Sequence, residues 1–281
     1  MWKDSYRIGV DTVDEQHKAL FDATEKLLSN LRNHQDTRKQ ECMSAIAFLK
    51  DYAVRHFADE EAYQVSIGYK DYAAHKKLHE DFVQTVLSHE EKMTKTDFDL
   101  RSIKEFTGML VTWLTYHVAG IDQSITGEKT FAEKTFGTQL DNFHYSVRDV
   151  LQKLARVDAD AIKATDKSDD DFSESISVEI EFTGDASGHV TYVYTKEFTK
   201  NVIYAMMQFV PDTVDELVYS ALFEVSNIIS GTVCTQMGRA GIFSDIKPPI
   251  LSARPTVNLK ERLVLDTGMG IIEIDFELSL V

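Results

Sequence analysis

A chain of 281 residues with 43% hydrophobic residues, 13 glycines and 4 prolines has enough apolar material for two folded domains and little for linkers. Its net charge of −16 is uneven: 18 Lys+Arg against 23 Asp+Glu leave −5 over residues 1–138, and 12 against 23 leave −11 over 139–281. Such a surface argues against nucleic acid or anionic lipid as the main partner, and neither Cys42 nor Cys234 has metal-ligand spacing.

The start, MWKDSYRIGVD, lacks a signal-peptide run, and no stretch is expected to reach membrane-spanning length. With two cysteines far apart, a reduced, cytoplasmic setting is the simplest expectation. Residues 1–11 read as an extended arm. Asp14 is expected to cap a helix running to about Asn33, with Leu20, Phe21, Leu27, Leu28 and Leu31 inside and His17 beside them. A second helix is expected from about Thr37 to Ser66, carrying His56, Phe57, Glu60 and Gln64 along one face. IGYKD turns the chain into a third, about 69–94, with Tyr72, His75, His79, Phe82 and Val86 inward. The break TKTDFD precedes a fourth, from about Leu100 to Gly120, with Phe106, Leu110, Trp113, Leu114 and His117. Four such helices with short connections form an up-and-down four-helix bundle.

Two four-residue pairs, His56/Glu60 and His75/His79, each aim two ligand atoms at one point, because residues four apart share a helix face. Adding His17 and the pair His117/Asp122 gives five histidines and two carboxylates from four amphipathic segments. A lone inward histidine is more often a hydrogen-bonded core residue. Here, however, Glu60 and Asp122 would be buried without a lysine or arginine at helical spacing, at a cost of several kcal/mol each. A dinuclear metal site in the bundle core removes that cost.

HKALF after DEQ, HFADEE, HKKLH and WLTYHVAGID resemble the ligand motifs of the bacterial hemerythrins over roughly residues 1–130, with all seven ligand positions filled. The resemblance implies two iron ions, His75, His79 and His117 on one and His17 and His56 on the other. Glu60 and Asp122 would bridge them, with an oxo or hydroxo group between. An open position on the second iron would take dioxygen. Imidazole with carboxylate suits iron, though zinc or manganese also binds such ligands. The dioxygen pocket that the resemblance implies is Leu20, Phe57, Gln64, Trp113, Leu114 and Val118. Gln64 departs from the family, which usually carries Met there. A carboxamide near the open iron would admit water or donate a hydrogen bond, favouring autoxidation over storage.

A helical period from about Phe131 to Leu154 follows, so a short helical joint at 131–138 is expected between domains 1–130 and 139–281. A stiff joint suits transmission of a signal, which needs only ~1–3 kcal/mol of coupling. His89 and His144 have no partner spacing. VDADAIKATDKSDDDFSES (157–175) reads as a solvated acidic loop, since DKSDDD lacks the glycine and glutamate of a calcium loop. ISVEIEF and GHVTYVYT alternate around GDASG as a hairpin. The helix FTKNVIYAMMQF is followed by a long one whose buried stripe is expected to be Val214, Leu217, Val218, Ala221, Val225, Ile228 and Thr232. KPPILSA, ERLVLDTGMG and IIEIDFELSL supply more strands. That order predicts an α+β domain with a mainly antiparallel sheet.

Ser220, Glu224, Asn227 and Gly231 share the opposite stripe of the long helix, and spacing alone favours a solvated face. SALFEVSNIISG, with YAMMQFVPDTVDEL before it and DIKPPILS after it, resembles the CheC/CheX/FliY family of response-regulator phosphatases over roughly 139–281. The earlier helix reads FTKN, with Phe198 where a second motif needs glutamate before Asn201, so the resemblance is nearer CheX. It implies Asn227 as the residue that orients water and Glu224 as the partner of the regulator's lysine. Magnesium would be held by the regulator, and the protein would be a homodimer. The joint expectation is an oxygen- or redox-responsive phosphatase for a phosphorylated CheY-like regulator. The alternatives are a diiron sensor whose second domain only dimerises or docks, and an oxygen or iron store.

Overall fold

The computed structural model describes residues 1–32, 37–127, 138–165, 174–253 and 261–280. Two compact units divide the chain, Met1–Thr130 with Val214–Ser220, and Phe131–Thr213 with Ala221–Val281. The joint expected at 131–138 lies outside the described residues except for Thr138, and so does DKSDDD.

The first unit is a bundle of α1 (Asp11–Arg32), α2 (Arg38–Ser66), α3 (Tyr72–Lys95) and α4 (Leu100–Tyr116). α4 runs on through a five-residue π-helical segment, His117–Ile121, into α5 (Gln123–Thr126). Leu20, Phe21, Leu27, Leu28, Leu49, Phe82, Phe106 and Leu110 are buried in it. They recur at three- and four-residue steps, so each helix offers a continuous apolar stripe. The expected cap at Asp14 is corrected. α1 begins at Asp11, and the buried Asp14 carboxylate accepts from the backbone N–H of Ile8 and Gly9 at 2.7 and 3.1 Å. Its work is to tie the arm down, since those amides have no helical partner.

In the second unit α6 (Gln139–Ala155) leads through β1 (Lys163–Ala164) to the hairpin β2 (Ile176–Gly184) and β3 (Ala186–Tyr194). Next come α7 (Lys196–Met207), α8 (Glu216–Arg239), β4 (Ser244–Ile246), β5 (Ile250–Ser252), β6 (Glu261–Asp266) and β7 (Ile271–Leu280). All pairings are antiparallel, in the order β1-β6-β7-β3-β2-β4, with β5 also on β2. The short β1 and β4 fall where no strand is expected from the sequence, and β1 sits inside the segment read as a loop.

Alternation puts Val178, Ile180, Phe182, Val190, Tyr192, Tyr194, Ile272, Ile274 and Phe276 on one face, all buried. Phe143 of α6 packs at 4.7 Å on Phe276, and Phe198 of α7 stacks at 5.3 Å on Tyr194. α8 joins them through Tyr192 Oη to Ser230 Oγ and Tyr194 Oη to Ser226 Oγ, each 2.7 Å. The stripe expected on α8 holds at Leu217, Val218, Ala221 and Val225, all buried, and departs from expectation elsewhere. Leu222, Ser226, Ile229, Ser230 and Val233 are buried, whereas Ile228 and Thr232 are half-buried and Val214 is 52% exposed, ahead of the helix. A second correction concerns membranes, because α8 is long and apolar enough to cross one by length and composition. Ser226 and Ser230 instead bond sheet tyrosines, as in a core helix.

Candidate functional site

All seven side chains expected as ligands converge in the bundle core. α1 supplies His17, α2 His56 and Glu60, α3 His75 and His79, and the end of α4 His117 and Asp122. Each is at most 2% exposed. His117 and Asp122 are five apart, which splays two residues on a regular α-helix. The π-helical segment between them widens the turn and returns Asp122 to the face of His117, 3.2 Å away.

The ligand atoms fall into two groups, Glu60 with His75, His79 and His117, and His17 and His56 with Glu60, so Glu60 belongs to both. Asp122 likewise reaches both, with its oxygens 3.1 Å from His17 Nε2 and 3.3 Å from His75 Nε2. Glu60 lies 3.0 Å from His75 and 3.5 Å from His56. These distances are short, yet both nitrogens of His17 and His75, both oxygens of Asp122 and Glu60 Oε2 satisfy no hydrogen bond among the described residues. Unsatisfied buried polar atoms in such number are costly. Among the described residues no lysine or arginine pairs with either carboxylate.

Outer partners orient two of the rings. His56 Nδ1 lies 3.1 Å from Gln16 Oε1, and Gln16 Nε2 donates at 2.7 Å to Asp59. His79 Nδ1 lies 3.1 Å from a Glu61 oxygen. Amide and carboxylate oxygens only accept here, so both Nδ1 atoms carry the proton and both Nε2 atoms turn lone pairs inward. His79 Nε2 and His117 Nε2 stand 3.0 Å apart. Burial holds the protonation of His56 and His117 well below the usual histidine range, and burial with the charge of His75 lowers His79 to about 4. Burial also opposes protonation of His75, but Asp122 and Glu60 outweigh it and raise that ring to about 9. Converging ring nitrogens and two shared carboxylates with no lysine or arginine beside them among the described residues fit divalent metal ions, which would take the place of the proton on His75.

Of the expected pocket residues, Phe57 stacks on His79 at 3.9 Å and Trp113 on His117 at 4.3 Å, each nearly parallel. Leu20, Leu114 and Val118 are buried in the same bundle. Gln64, fully buried, donates from Nε2 to Glu60 Oε1 at 2.7 Å. Sequence reasoning missed Gln16, Asp59 and Glu61. The adjacency of Gln16 to His17, and of Asp59 and Glu61 to Glu60, is the only signal for them.

On α8, Glu224 and Asn227 are half-buried and one turn apart, opposite the serines that hold the helix to the sheet. Burial pushes the Glu224 carboxyl up to about 7, opposed by a hydrogen bond from Asn227. The Asn227 carboxamide offers a carbonyl oxygen as an acceptor. On α7 the corresponding residues are spent on structure. Phe198 is fully buried, and Asn201 Nδ2 donates to the Met269 carbonyl at 2.8 Å. Gly270 beside them has φ +129°, and a Cβ there would lie 2.4 Å from the Phe198 nitrogen.

Residues 8–127 match the family model of the hemerythrin HHE cation binding domain, and residues 176–277 that of the chemotaxis phosphatase CheX. A bacteriohemerythrin of Clostridium acetobutylicum is 36% identical over 124 residues, 44% of this chain and 95% of that protein. A hemerythrin-like protein of Naegleria gruberi is 30% identical over 126 residues, 45% of this chain and 90% of that one. Among solved structures, the chemotaxis protein CheX of Vibrio vulnificus is 16% identical with a TM-score of 0.43, over 53% of this chain and 100% of that one. A CheX–CheY–BeF3–Mg complex from Borrelia burgdorferi gives 22% and 0.39, over 50% and 97%. Through its first half the chain belongs to the hemerythrin family, and behind that cation-binding domain it carries an α+β domain matching chemotaxis phosphatase CheX.

Proposed function

We propose that the chain is an oxygen- or redox-responsive phosphatase that hydrolyses the aspartyl phosphate of a CheY-like response regulator. The observation that carries the sensing half is the convergence of seven buried side chains, four of them with unsatisfied polar atoms, with no lysine or arginine paired to either carboxylate among the described residues. His75, His79 and His117 would hold one iron, His17 and His56 the other, with Glu60 and Asp122 shared between them. When bound, the iron pair supplies reversible affinity for dioxygen at one open position. Phe57 and Trp113 brace the rings of His79 and His117 and exclude water. Gln16 and Glu61 keep the protons of His56 and His79 on Nδ1.

Asn227 and Glu224 carry the hydrolytic half. An aspartyl phosphate is an activated acyl phosphate already held with magnesium by the regulator, so positioning a water is the main task left. The Asn227 carbonyl accepts a hydrogen bond from that water while its amide stays on Glu224. The water oxygen bonds to phosphorus in line as the bond to the aspartyl oxygen breaks. The carboxylate leaves, and the water's proton passes to phosphate or solvent. Glu224 pairs with the regulator's lysine. The protein acts in the cytoplasm as a homodimer, with one Glu224/Asn227 pair in each subunit.

The test is loss of phosphate from a labelled regulator with the deoxy, oxy and oxidised protein compared. Turnover that differs between states supports the reading. Equal turnover in all states removes the regulation, and no turnover in any leaves a docking or storage role. Asn227→Ala should abolish turnover while binding persists, and retained turnover would overturn the assignment.

A further inference from the structure

Gln64 lies four residues after Glu60 on α2 and is fully buried in the bundle. An ionised carboxylate only accepts hydrogen bonds, so the contact at 2.7 Å fixes the amide with Nε2 toward Glu60 and Oε1 away from it. Oε1 is then a buried acceptor without a donor among the described residues. The two amide atoms share one carbon, so the unsatisfied acceptor lies close to the carboxylate that the donor holds. One holds the carboxylate common to both ligand groups. The other is a carbonyl atom, and only a group carrying N–H or O–H satisfies it.

We propose that Gln64 is a positioning and ligand-selecting residue. Its amide fixes Glu60 in the posture shared by the two cations, and its carbonyl favours an exogenous ligand that bears a proton over a bare anion. This rests on the diiron reading above and deepens it. It also extends the role expected from the sequence, because one N–H is committed to Glu60 and Oε1 is a further, accepting atom.

Two small uncharged-or-anionic probes separate the alternatives. Azide has only acceptor atoms, whereas cyanamide has as many heavy atoms and carries N–H bonds. Each is titrated into the iron-loaded, oxidised full chain and followed by the visible charge-transfer band, and iron release to a chelator is timed alongside. Gln64→Met should shift the ratio of cyanamide to azide affinity roughly tenfold toward azide, the effect of about one hydrogen bond, and should release iron faster. Gln64→Leu repeats the test in case the thioether itself binds iron, and far-UV dichroism with an iron count confirms that both variants fold and load. An unchanged affinity ratio in both loaded variants, with unchanged iron release, overturns the assignment to Gln64 alone. A parent protein that takes up no iron overturns the diiron reading and this inference together.

Discussion

Tyr194 and Ser226 give an asymmetric prediction. Ser226 Oγ donates its one proton to the Leu222 carbonyl at 2.9 Å, so the 2.7 Å contact with Tyr194 must run from the phenol to the serine. Burial pushes the phenol's ionisation upward, which keeps it a donor. Tyr194→Phe therefore removes one hydrogen bond but leaves the serine proton satisfied, at about 1 kcal/mol. Ser226→Ala strands the hydroxyl of a fully buried tyrosine and should cost about 2–3 kcal/mol. The double variant should lie near Tyr194→Phe alone, giving a coupling of about 2–3 kcal/mol. Hydrogen exchange of the peptides covering β3 and α8 in the full chain reads these differences locally, without assuming one unfolding transition. A Ser226→Ala variant no less stable than Tyr194→Phe, or two strictly additive substitutions, would refute the donor assignment.

Three further outcomes are expected. Deleting Ala119 makes the spacing four, at which a regular α-helix keeps Asp122 on the face of His117, so the variant should still hold iron by elemental analysis, whereas Asp122→Ala should hold markedly less while remaining helical by circular dichroism. Chelation of iron from the intact protein should lower the bundle's melting temperature, because ligand bound only to the folded state stabilises it by mass action; scanning calorimetry with and without chelator checks this. The third concerns pH. The raised pKa of Glu224 favours its protonated form in the folded chain, so its contribution to stability is present below the ordinary glutamate range and is lost as pH rises through about 7. Docking to a lysine needs the ionised form, so regulator affinity should rise between about pH 6 and 8 in parent and stay flat in Glu224→Gln, read by titration calorimetry.

The ligand set was legible because four of the seven side chains sit at four-residue helical spacing, which needs no knowledge of neighbours. His117 and Asp122 were legible as a pair, but the π-helical turn that makes them one was not, since a spacing of five names no geometry by itself. Gln16 and Asp59 escaped notice because their contact joins α1 to α2, and separation along the chain says nothing about such meetings. On α8 part of the stripe was misplaced for a different reason. Ser226 and Ser230 count as polar in any periodicity, yet each is buried against a tyrosine hydroxyl that only the sheet register brings there. β1 and β4 were too short to alternate visibly.

The indole of Trp113 lies flat against His117, and the only other tryptophan, Trp2, is on the arm with its ring 5.7 Å from Phe21. An iron on His117 would therefore sit within quenching range of one intrinsic fluorophore. Emission from a purified Trp2→Phe protein becomes a direct optical record of whether that centre is filled, without an added dye.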